Sequence, residues 1–313
     1  MSMFHCPLKL PFYMAEGCIQ CGICQATTLK QAMQSTAKVR NYIQNQPVGF
    51  GAGIPRKICL CGKGGVGKST LTALFARILA SSGYRPLVID SDESNPSLFR
   101  LLGLQNRPKP LLSFLEQFGM EYGIPRNTWI DKDVIALSDI PQEYVVKEQN
   151  LSFVELGKVE NAFQGCACNI SDFSRQLMKS LVPVGNEIVF IDLEAGVESF
   201  GRGVEHGIDA VYSIIEPSED SITLARKMHY MAKGIGISRF GAILNRMPNE
   251  EVAQSVCEQL RRNGVPVLGI LYYDEEVLYS GMVSRPVKEN MFYQCAAEVL
   301  ENLMMPIHFA ANL

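Results

Sequence analysis

Residues Gly62 to Thr70 read GKGGVGKST, an order of glycine, lysine and hydroxyl residues that satisfies the phosphate-loop pattern G-x-x-x-x-G-K-S/T. Each residue type has a mechanical reason to be there. Gly62, Gly64, Gly65 and Gly67, with Val66 among them, let backbone N–H groups turn inward on phosphate oxygens, and a helix opening at Lys68 points its positive end at the same anion. Lys68 is placed to reach the β- and γ-phosphates, Ser69 to ligate Mg2+, and Thr70 completes the nucleotide-binding stretch. The chemistry expected is binding and hydrolysis of a nucleoside triphosphate.

Cysteines form the second set of chemically capable residues, ten in all. Cys166 and Cys168 make a C-x-C pair, two sulfurs that suit a shared metal but supply half of a tetrahedral shell. In a twofold dimer the same loop of the other copy would supply the remaining two thiolates. Cys18, Cys21 and Cys24 are spaced C-x-x-C-x-x-C, which resembles the first three ligands of a bacterial ferredoxin motif. Thr28 stands where a fourth ligand belongs, so Cys6 is the expected replacement and His5 a weaker one. A four-iron four-sulfur cluster, a zinc ion and unliganded thiols all remain open there. Cys59 and Cys61 alternate in an apolar strand, and Cys257 and Cys295 sit on apolar helical positions; all four are expected in the core.

The elements that must position these residues alternate regularly from Arg56 onward. RKICLC predicts a strand into the glycine loop, a helix follows over 68–82, and RPLVID predicts a second strand ending at Asp90. Residues 105–130, with several prolines and the one tryptophan, read as an irregular helical insertion. DVIALS and LSFVELG read as short strands, and a helix is expected over 171–181, just after the C-x-C pair. EIVFID, AVYSIIE, FGAILN and VPVLGIL are further strand-like runs separated by helical patterns. The fold class expected is α/β: a P-loop NTPase whose mostly parallel sheet is flanked by helices, with ligands at the carboxyl ends of the strands. GFGAGIP reads as a linker, dividing a cysteine-rich segment over 1–53 from an ATPase domain over 54–313.

A net charge of −3, 19% charged residues and no long basic tract argue against nucleic acid and anionic membrane as partners. Apolar runs are too short to span a bilayer and the N-terminus lacks the zones of a signal peptide, so a cytoplasmic location is expected.

Lys63, directly after the first glycine, makes the loop resemble the deviant Walker A of the MinD, ParA and nitrogenase iron protein superfamily. That resemblance implies a homodimer closed around ATP, with Lys63 and Lys68 on the phosphates and Lys63 reaching the partner's. It places Asp92 at the start of switch I, orienting the attacking water and touching Mg2+. It places Asp192 at the Walker B position, holding Mg2+ through water, and Gly196 in switch II. Asn245 would read the adenine edge with Arg246 beside it, and LYYDEE would close the base pocket. GCACN before a helix, DLEAGVESFGRGVEHGID, EPSEDS and LNR together resemble the CooC-type ATPases that insert nickel into carbon monoxide dehydrogenase. This implies Ni2+ or Zn2+ at Cys166 and Cys168 and a client such as carbon monoxide dehydrogenase or acetyl-CoA synthase. The function expected is therefore an ATP-dependent metallochaperone. The alternative is an ATP-gated iron–sulfur electron donor resembling the nitrogenase iron protein, against which DLEAGVESFGRG carries no cysteine. A MinD-like membrane role is disfavoured because Asn290 to Leu313 contains two acidic and no basic residues.

Overall fold

A computed structural model describes residues 53–91, 97–118, 124–157, 167–193, 207–237 and 239–305, with backbone only at 167–171. Pro55–Leu300 forms a compact unit, and all eight strands lie in it. Cys6, Cys18, Cys21 and Cys24 fall outside the described residues.

Strands β1 (Lys57–Gly62), β2 (Arg85–Ser91), β3 (Val146–Glu148), β4 (Leu151–Glu155), β5 (Glu187–Leu193), β6 (Ala210–Ile215), β7 (Arg239–Met247) and β8 (Val267–Tyr272) make one sheet. Its order is β3-β4-β2-β5-β1-β6-β7-β8, parallel throughout except for the β3–β4 pair. The helices are α1 (Lys68–Ser81), α2 (Leu98–Leu102), α3 (Leu112–Glu116), α4 (Ala167–Ser180), α5 (Glu219–Gly234), α6 (Glu250–Arg262), α7 (Glu275–Met282) and α8 (Met291–Leu303). β1, β5 and β6 are buried at every residue, which is why their sequences run apolar without alternating: a parallel strand covered on both faces has no polar side to show. After β1 the chain crosses toward β2, and after β6 it crosses the other way toward β7. The strand order therefore reverses beside β1, and a crevice opens at the carboxyl ends of β1 and β6, where ligands of such sheets bind.

Several expectations need correction. DVIALS is not a strand: Ile135 makes a single bridge to Leu181, and the Asp139 carboxylate then accepts the Ala136 N–H at 2.8 Å, closing a 3-10 turn over Leu137–Asp139. β3 was not foreseen; three residues are too few to show a period, and it exists by hairpin pairing with β4. The helix expected at 171 begins at Ala167, a residue of high helix propensity, so Cys168 belongs to the first turn of α4. Cys59 and Cys61 are core residues as expected, and burial pushes the Cys61 thiol up to about 12. Cys257 and Cys295 are only half-buried, at the margins of their helices' apolar faces, although burial still raises both thiols.

The sheet and α4 are joined by one buried cation. Lys57 at the start of β1 is 8% exposed and donates from Nζ to the carbonyls of Met178 at 2.9 Å and Leu181 at 3.0 Å. It thus satisfies orphan carbonyls at the C-terminal end of α4, where a positive charge also complements the helix dipole. Burial lowers the Lys57 pKa, with Asp209 opposing the shift.

Candidate functional site

β1 delivers the glycine loop to the crevice, and the loop's backbone requires its glycines. Gly62 has φ +145°, and a Cβ there would lie 2.5 Å from the Ile214 carbonyl oxygen of β6. Gly67, at the N-cap of α1, has φ +96°, and a Cβ there would lie 2.7 Å from the Asn245 amide nitrogen. α1 then starts cleanly, with the Leu71 N–H donating to the Gly67 carbonyl at 3.0 Å.

Gly64, Gly65, Gly67, Lys68, Ser69 and Thr70 line one wall of a cleft of about 520 Å³, and Asn245 and Arg246 from β7 line another. Residues far apart in sequence thereby line one cleft. Lys68 is 5% exposed and rests its Nζ 3.4 Å from the Lys63 carbonyl oxygen. Asp192, fully buried at the end of β5, receives the Thr72 hydroxyl at 3.5 Å. Ser69 and Thr72 are three apart on α1 and so share a side of the helix, which puts the Ser69 hydroxyl and the Asp192 carboxylate on one flank of the loop. A hydroxyl and a carboxylate so disposed fit Mg2+, a cation that takes oxygen ligands and keeps several waters.

Two placements go beyond what the spacing conveyed. Asn245, 5% exposed, donates from Nδ2 to the Val66 carbonyl at 2.8 Å, so its amide grips the phosphate loop from β7. That bond uses one of the two amide N–H groups and leaves the Oδ1 out of it. Lys63 points out of the loop to an acidic pair after β6, with Nζ 3.3 Å from Asp220 and 3.7 Å from Glu216.

Asp92, Gly196 and Cys166 fall outside the described residues, as do the side chain of Cys168 and the neighbouring Glu194, Glu198 and His206. His229 stands on α5 with its ring edge-on to Phe240 at 5.1 Å, a packing role, and burial lowers its pKa.

Residue-level reading missed Glu216 and Asp220 as partners of Lys63, and of the remaining wall of the cleft it expected only that LYYDEE would close the base pocket, without individual contacts. Tyr272, Tyr273 and Asp274, then Leu278 and Met282 of α7, complete that wall. The signal for α7 was present: Asp274 is its N-cap, accepting the Val277 N–H at 2.9 Å, with Glu275 and Glu276 in the first turn.

Residues 58–287 match the family model for the CobQ/CobB/MinD/ParA nucleotide binding domain. The chain belongs to this family. It is 33% identical over 244 residues to an uncharacterized ATP-binding protein of Methanocaldococcus jannaschii, covering 75% of this chain and 95% of that one. It is 29% identical over 229 residues to the carbon monoxide dehydrogenase accessory protein CooC of Rhodospirillum rubrum, covering 71% of this chain and 85% of CooC. Among solved structures, MinD in the MinC:MinD cell division protein complex of Aquifex aeolicus superposes with a TM-score of 0.58 at 21% identity, over 79% of this chain and 94% of that one, a likeness of fold. The chain is thus an ATP-binding NTPase of the MinD/ParA kind, with ATP and Mg2+ as the ligands that the family implies. Among the described residues no helix is long and apolar enough to cross a membrane.

Proposed function

We propose that this ATPase is a metallochaperone: it dimerises around ATP, carries nickel or another metal, and delivers it to a nickel–iron–sulfur enzyme such as carbon monoxide dehydrogenase or acetyl-CoA synthase in the cytoplasm. The observation that carries this reading is the alignment with most of the length of CooC, together with a C-x-C pair in the region where α4 begins. The far end of α4 is held by Lys57, the first residue of the strand that runs into the phosphate loop. This contact supports a reading in which the C-x-C region and the nucleotide site stand at opposite ends of a connection from α4 through Lys57 to β1.

In this reading ATP draws two copies together and Lys63 leaves Asp220 and Glu216 for the partner's phosphates. Asp92 orients the attacking water, Gly196 senses the γ-phosphate, and closure brings Cys166 and Cys168 of both copies into a four-thiolate site for the cargo metal. The segment over 1–53 is a separate region whose Cys6, Cys18, Cys21 and Cys24 hold a four-iron four-sulfur cluster. The domain over 54–313 is the ATPase.

Anaerobic metal analysis of the ATP-bound protein tests the cargo site. Cys166→Ala with Cys168→Ala should abolish nickel or zinc binding while ATP binding persists. Metal content per ATP-bound dimer equal to wild type would sink the interface site.

A further inference from the structure

One end of the nucleotide cleft is built from strands that have come apart. The β7–β8 ladder runs through Leu244↔Ile270, shifts register, and resumes at Met247↔Tyr272. Inside the shift Arg246 has φ +58°, an uncommon left-handed conformation for a residue other than glycine, and it faces the cleft with Asn245. Such a bulge re-aims side chains but removes ladder hydrogen bonds, so something else must hold the two strand ends at a fixed separation.

Two contacts do so. The Tyr273 N–H donates to the Met247 carbonyl at 2.9 Å, and the Tyr272 hydroxyl donates to a carboxylate oxygen of Glu250. Glu250 does not line the cleft; it is the first residue of α6, just past the Asn249 N-cap. Its other oxygen accepts from Gln254 Nε2 at 3.1 Å. Both oxygens are thus engaged, and the negative charge sits where the α6 dipole favours it. A hydrogen bond to an ionised acceptor is the stronger kind and fixes the ring that carries the hydroxyl.

We propose that Glu250 is a positioning residue for the nucleobase: acting through the Tyr272 hydroxyl, it sets the distance between the Tyr272–Tyr273 wall and the Asn245–Arg246 wall. The ligand class follows from the lining. Aromatic faces on one side and an amide on the other suit a flat heteroaromatic ring. The triphosphate end of the cleft, at Lys68 and Ser69, is built from other elements and does not depend on this strut. The inference rests on ATP binding in this cleft and not on metal delivery.

The test is titration of the full chain with ATP and, separately, with inorganic triphosphate, which has no base to position. Glu250→Ala and Tyr272→Phe should each weaken ATP binding about two- to five-fold, a modest loss because the pair faces solvent. The double variant should lose no more than either single one, since both break the same bond. Glu250→Gln keeps one acceptor oxygen but loses the charge, and should weaken ATP binding less than Glu250→Ala does. Triphosphate affinity should be unchanged in all four, and ATPase kcat retained, with KM raised in each in step with its loss of ATP affinity. Unchanged ATP affinity in Glu250→Ala and Tyr272→Phe overturns the proposal, as does equal weakening for triphosphate, which marks general damage. Wild-type protein that fails to bind ATP would overturn the assignment of the cleft itself, and this inference with it.

Discussion

Asn245→Ala separates two roles that a single amide combines. If Asn245 served only to read a base, its loss would weaken ATP and leave the empty protein and its phosphate affinity alone. The structure instead puts Nδ2 on the Val66 carbonyl at 2.8 Å, in a setting where Asn245 is 5% exposed and Val66 is fully buried. Truncation leaves that carbonyl without its side-chain donor, and an unsatisfied buried polar group costs about 1–3 kcal/mol. Against a usual total of about 5–15 kcal/mol, that loss is readily resolved in a urea titration without nucleotide. The loop it released must then be reordered by the ligand. If about 1 kcal/mol of that cost falls on binding, inorganic triphosphate should bind about five-fold more weakly as well. Asn245→Asp should be worse than Asn245→Ala, because a carboxylate oxygen would face the Val66 carbonyl where a donor had been. Urea midpoints and triphosphate affinity both equal to wild type, with ATP affinity alone reduced, would refute the tether.

Other substitutions probe the surrounding frame. Gly62→Ala must relieve a 2.5 Å approach to the Ile214 carbonyl and accept φ +145°, so a loss of about 2–4 kcal/mol is expected by urea denaturation. Lys57→Met strips the donors from Met178 and Leu181 and should cost about 1–3 kcal/mol. The wild type carries a signature of this lysine: burial lowers its pKa from 10.5, so near that pH the unfolded chain binds more protons and this group's contribution to stability rises as pH increases. Stability curves of Lys57→Met should lack that rise. Asp220→Asn combined with Glu216→Gln frees Lys63 at an exposed ion pair; folding stability should be nearly unchanged, while ATP-dependent self-association, read by sedimentation velocity, should rise about two- to five-fold.

The parts of the site that could be read directly were those encoded by short spacing. A phosphate loop is one contiguous stretch, and its flanks, an apolar strand and an apolar helix, are equally local, so Gly62 to Thr70 stood out before any fold was known. Buried parallel strands announce themselves as continuous apolar runs, and β5, β6 and β7 appeared where EIVFID, AVYSIIE and FGAILN stand. The run DVIALS misled because composition cannot distinguish a strand from a single bridge. What decided the matter was the Asp139 carboxylate, which turns the chain back after Ile135.

By itself, then, the sequence determined the class of ligand, the strand-loop-helix that cradles it and the alternation that makes an α/β sheet, since each depends on neighbours a few positions apart. Tertiary structure alone decided the grip of Asn245 on Val66, the resting place of Lys63 beside Glu216 and Asp220, the capping of α4 by Lys57 and the strut from Glu250 to Tyr272. These pairs lie 179, 153 and 157, 121 and 124, and 22 positions apart. No local pattern links such residues. They meet because β1 lies between β5 and β6, and because the bulge in β7 leaves its end to be held by side chains instead of a ladder.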